Sequence, residues 1–68
     1  MEERDKLSII IKHWIEHNCS HLEEYRRWAQ RAAELGLERV KTRIDEAIHE
    51  LSQSNNCLEE ALKELKPL

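Results

Sequence analysis

The stretch "RAAELGLERV", residues 31–40, holds the single glycine of the chain, and whether that glycine ends a helix or sits inside one separates a hairpin from a rod. A helix arriving from the N-terminal side ends naturally at Gly36, because a residue without a Cβ takes the left-handed conformation of a helix C-terminus at no steric cost. Arg31, one turn earlier, has the favourable sign for the negative end of the helix dipole. A second helix then resumes at about Leu37. The competing reading keeps Gly36 inside one uninterrupted helix at a cost of about 1 kcal/mol, giving a rod roughly 95 Å long.

The apolar spacing on either side of Gly36 favours the hairpin. Before it, Leu7, Ile11, Trp14, Asn18, His21, Tyr25, Trp28, Ala32 and Leu35 alternate steps of four and three, an unbroken heptad seam. After it, Leu37, Val40, Ile44, Ala47, Leu51, Ser54, Leu58, Ala61 and Leu65 keep the same alternation. Folding at Gly36 sets Trp28 against Ile44, Tyr25 against Ala47, His21 against Leu51, Asn18 against Ser54 and Trp14 against Leu58. Large faces small at Tyr25, and polar faces polar at Asn18, as buried polar groups require. The expected architecture is an all-α antiparallel hairpin, with helix 1 over about 3–35, a turn at 36 and helix 2 over about 37–66, stopped by Pro67. The whole chain, 1–68, is read as one domain.

A chain of 68 residues buries too little surface to be comfortable alone. Ile15, Leu22 and Ala29 on one flank of the first helix, with Ile48 and Leu62 on the second, form an apolar strip beside this seam. The strip calls for a cover, and the economical cover is a second copy, giving a homodimeric four-helix bundle; a tetramer or another helical protein would serve as well. The Asn18 and Ser54 layer is expected to fix register more than to stabilise.

Composition removes several function classes. The formal charge is −3 with both signs mixed along the chain, so no basic face gathers phosphates; the locally basic "RRWAQR" at 26–31 is diluted by acidic neighbours, and nucleic acid is not an expected partner. No window approaches the roughly 20 apolar residues of a membrane span, and "MEERDKLSIIIKHW" lacks the parts of a secretion signal. A cytoplasmic protein without membrane partners is the expectation, with Cys19 and Cys57 remaining thiols.

The chemistry concentrates in "HWIEHNCSHLEEY", residues 13–25. His13, His17 and His21 follow one another at intervals of four and Glu24 continues the stripe. Two histidines four apart on a helix share one face and are able to ligate one ion. A single helix does not surround a metal, so further ligands must come across a seam, and the expected pairing offers Cys57 level with His17 and Glu50 level with Glu24. The candidate set is His17 and His21, with Glu24, Glu50 or Cys57 completing it and His13 at its edge. Imidazole, carboxylate and thiolate together suit zinc or nickel over magnesium or calcium. The pattern is neither HExxH nor a paired Glu-x-x-His set, and His21 also reads as a core imidazole bonded to Glu24 or Tyr25, with His13 solvated and Cys57 inert. His17 and Glu24 have the residue types of an acid–base pair, but no glycine-rich loop, nucleophile elbow or lid accompanies them, so enzymatic activity is not expected.

The run "HWIEHNCSHLEEYRRWAQRAAELGL" resembles a family of small, uncharacterised helical proteins of anaerobic bacteria and archaea with a His-Trp-x-x-His-Asn-x-x-His signature. The matching residues are His13, Trp14, His17, Asn18, His21, Tyr25, Trp28 and Ala29, followed by Leu35 and Gly36. The resemblance implies a compact helical fold and marks the histidine stripe without naming a ligand. A self-associating structural or interaction module is the first expectation for function, and a zinc- or nickel-binding accessory, storage or sensor protein the second.

Overall fold

The computed structural model describes residues 2–65, in which α1 (Glu3–Glu34) and α2 (Glu38–Leu65) pack against each other as an antiparallel hairpin. The expected end of the second helix near residue 66 and its stop at Pro67 lie outside the described residues. Glu3 and Asp5 place negative charge in the first turn of α1, and Arg31 places positive charge in its last, both favourable to the dipole.

Gly36 turns the chain, with φ at +77°. Its N–H donates to the Ala33 carbonyl at 3.0 Å and the Leu37 N–H donates to the Ala32 carbonyl at 2.8 Å, the paired bonds of a Schellman motif that satisfy the last carbonyls of α1. A Cβ at Gly36 would meet nothing within 4 Å, so an alanine there costs only the left-handed backbone, about 1 kcal/mol. The longest dimension is 51 Å, about half of what a single rod requires.

The helices meet along a seam displaced by one residue from the expected one. Ile11, Leu22, Ala29 and Ala32 are the buried apolar residues of α1, with Ser8, Ile15 and Asn18 half-buried along the same row. On α2 the covered row is Ile44, Ile48, Leu51, Asn55, Leu58, Leu62 and Leu65. Part of each expected row survives: Ile11, Asn18 and Ala32 on α1, and Ile44, Leu51, Leu58 and Leu65 on α2. Much of the rest is exchanged with the flank. Leu22, expected under a second copy, is 7% exposed inside its own hairpin, while Trp14 and Trp28, expected in the seam, are 48% and 59% exposed.

The turn explains the exchange. Three residues, Leu35 to Leu37, join the helices, which must therefore run close together from the first turn onward, and only Ala29 and Ala32 are small enough for that approach. Trp28 in the same place would force the helices apart. The polar layer moves accordingly: Asn18 Nδ2 donates to Asn55 Oδ1 at 2.8 Å, in place of the expected Ser54. Asn55, 7% exposed, donates in turn to the Ile15 carbonyl at 3.4 Å and to Cys19 Sγ at 3.6 Å. Cys19 thus stands at the rim of the seam.

Candidate association face and histidine pair

With the seam located, helical periodicity assigns every other residue to a side of the hairpin. One side carries Lys12, Cys19 and Arg26 from α1 beside Asp45, Ser52 and Glu59 from α2. The grouping is observed at the open end, where Ser8, Lys12, Glu59 and Leu62 line a shared groove. The opposite side carries Leu7, Trp14, His21, Trp28 and Leu35 from α1 beside Val40, Ala47, Ser54 and Ala61 from α2. Here Tyr25, Val40, Ile44, Ala47 and Arg43 line an open hollow of about 360 Å³. Large side chains on α1 form a ridge and small ones on α2 form a trough. Leu7, Trp14, Trp28, Leu35, Leu37 and Val40 are all exposed in the single chain, an apolar extent that isolated soluble domains rarely leave bare.

The histidine stripe belongs to the ridge side. The His17 and His21 rings lie edge to face with centroids 4.5 Å apart, whereas His13 stacks on His17 at 6.1 Å and turns toward solvent. The His21 side chain is 42% exposed, so it is not a core imidazole; its Nδ1 lies 3.9 Å from Glu24 Oε1, longer than a hydrogen bond, and its ring is 6.2 Å from that of Tyr25. Cys57 and Glu50 are exposed on α2. Among the described residues no three His, Cys, Asp or Glu side chains come together as a metal-holding group. The hairpin by itself therefore joins His17 to His21 and leaves Glu50 and Cys57 apart from them.

The outer faces carry short-range ion pairs: Arg31 with Glu34 at 3.2 Å, Arg43 with Glu46 at 2.8 Å, Lys63 with Glu60 at 3.3 Å and Lys41 with Asp45 at 2.6 Å. All are exposed and contribute little to stability. The Asp45 carboxylate accepts the Lys41 hydrogen bond and holds that ammonium above its ordinary pKa of 10.5.

Two features were missed by the sequence reading, Asn55 as the buried partner of Asn18 and the hollow beside Tyr25. A signal for the first exists, since Asn55 stands seven residues from both Ile48 and Leu62 and so shares their row. The hollow has no sequence signal, because it is the gap left where two helices of unequal side-chain size meet.

An all-α hairpin with one polar and one apolar side is the class these features define. Residues 7–65 match the model of a family described as a domain of unknown function, DUF8180, and the chain belongs to that family. No curated protein and no solved structure matches it. None of the described helices is long and apolar enough to cross a membrane.

Proposed function

We propose that the chain is a self-associating module with a structural or protein-interaction role, in which two hairpins stack apolar side on apolar side as a twofold homodimer and form a four-helix bundle. The observation that carries this reading is the juxtaposition of Trp28, the most exposed large apolar side chain among the described residues, with the hollow lined by Tyr25, Val40, Ile44 and Ala47 at the same level of the hairpin. A twofold axis parallel to the helices lays α1 of each copy over α2 of the other without changing its level. The partner's Trp28 then enters the hollow, and the partner's Trp14 meets the small Ala61. An axis perpendicular to the helices would set ridge on ridge and leave both hollows empty. An isologous contact needs one surface to be its own complement, and this one holds both the knob and the hole.

The dimensions agree. A face of 51 by 18 Å offers roughly 900 Å², close to the ~800 Å² per partner of a stable interface. A second reading, a zinc- or nickel-binding accessory, storage or sensor protein, is favoured by the edge-to-face His17 and His21 pair. Sedimentation equilibrium tests the first reading. The parent chain is expected as a dimer and Trp28→Glu as a monomer; a monomeric parent, or a dimer untouched by the substitution, would overturn it.

A further inference from the structure

The histidine pair has two ligands and no third. His17 and His21 stand one turn apart on a face of α1 with their rings edge to face, centroids 4.5 Å apart, and two histidines four residues apart on a helix are able to ligate one ion. Glu24 lies on the Nδ1 side of His21, at 3.9 Å, so Nε2 is the nitrogen turned away from that carboxylate. Cys57 is the natural candidate to close the set, but in the single chain it is not part of any group with these rings.

The dimer described above removes that separation, and the inference rests on it. The Asn18 and Asn55 bond fixes the register of the hairpin, so His17 stands level with residue 56 and within one residue of Cys57. Within one copy the two lie on different helices along the same open side. When the second copy lays its α2 over this α1 at unchanged level, its Cys57 comes over His17.

We propose that each dimer holds two equivalent sites for a zinc-class divalent cation, each made by His17 and His21 of one copy and the partner's Cys57. The fourth position falls to water or to the partner's Glu50. His13, stacked on the outer side of His17, lies outside the shell. Two imidazoles and a thiolate form a nitrogen and sulfur donor set, which selects zinc, cobalt or nickel over magnesium and calcium. On binding, the thiol of Cys57 loses its proton to solvent and the sulfur donates the freed electron pair to the metal, while both imidazoles bind neutral through lone pairs. Protons therefore compete with the ion at every ligand, and metal links the two copies by mass action.

Subunit complementation tests the shared site. Cobalt(II) is titrated under reducing conditions into the parent, into His17→Ala/His21→Ala, into Cys57→Ser, and into an equimolar mixture of the two variants after exchange of subunits. The parent is expected to develop thiolate-to-cobalt charge-transfer absorption, and each variant alone to lack it. In the mixture about half of the dimers are mixed, and each of these holds one intact site of two, so about a quarter of the parent signal should return. A mixture that stays dark while sedimentation shows mixed dimers would overturn the shared site and leave the association standing. Charge transfer retained in Cys57→Ser, or present in a monomeric parent, would also overturn it, the latter together with the association itself. Recovery in the mixture has no explanation within a single chain.

Discussion

The two sides of this hairpin are built on the same pair of helices and behave as different surfaces. On one, Lys12 stands near Glu59 and Arg26 near the level of Asp45, so facing positions have opposite sign and need no further cover. On the other, Trp14 and Trp28 stand beside Ala47 and Ala61, an apolar ridge along an apolar trough. The seam between them is thin: among the described residues four apolar side chains are buried and none is less than 2% exposed. Such a hairpin encloses little core of its own and leaves its apolar side bare. Polar on one flank and apolar on the other is also a statement of direction, since association through the charged side would desolvate Lys12, Arg26, Asp45 and Glu59 without matching gain.

The contrast breaks most severely if the apolar side is charged. In the proposed dimer Trp28→Glu would remove a ring that buries some 150–250 Å² when covered, worth about 3 kcal/mol or more in each of two copies, and would add a carboxylate where the partner's hollow is to close. Sedimentation should show monomer, whereas Arg26→Ala on the polar side should leave the dimer intact. Leu22→Ala attacks the seam that both sides share. It empties a buried position and should lower stability by about 2–5 kcal/mol in chemical denaturation at fixed protein concentration. The parent seam row, not the strip of a second copy, is then what Leu22 serves.

A smaller effect belongs to the polar layer inside the seam. Asn55→Ala leaves the Asn18 amide without its 2.8 Å partner and should cost about 1–3 kcal/mol, whereas Asn18→Leu with Asn55→Leu together should be neutral or stabilising while loosening register. Denaturation of the double variant, with its oligomeric state followed in parallel, separates the two contributions. The smallest effect comes from Lys41. Asp45 holds its folded pKa above 10.5, so the stabilisation from this pair is fully present below that value and is lost as pH rises through the higher folded value. Denaturation of Asp45→Asn and the parent compared at neutral and at strongly alkaline pH should differ only slightly, because the pair is exposed.

The hairpin follows from the order of residues alone. One glycine, a seam on each side of it and the absence of other breakers leave a turn at Gly36 as the consistent solution, and the Schellman bonds to Ala32 and Ala33 are the local chemistry that glycine makes possible. The polar residue at Asn18 in the seam and the pairing of His17 with His21 along one face were equally legible, because both depend only on helical period. Which flank of each helix faces the other was not. The rows of Trp14 and Trp28 and of Leu22 and Ala29 both fit a seven-residue repeat with Ile11, Asn18 and Ala32, and period alone does not rank them. Only packing does: a three-residue connection brings the helices close, close helices admit Ala29 and exclude Trp28, and that choice carries Asn55 inward, turns the tryptophans out and puts the histidine pair on the open side. Side-chain volume at a fixed interhelical distance is a property of two helices together, and one row of letters does not contain it.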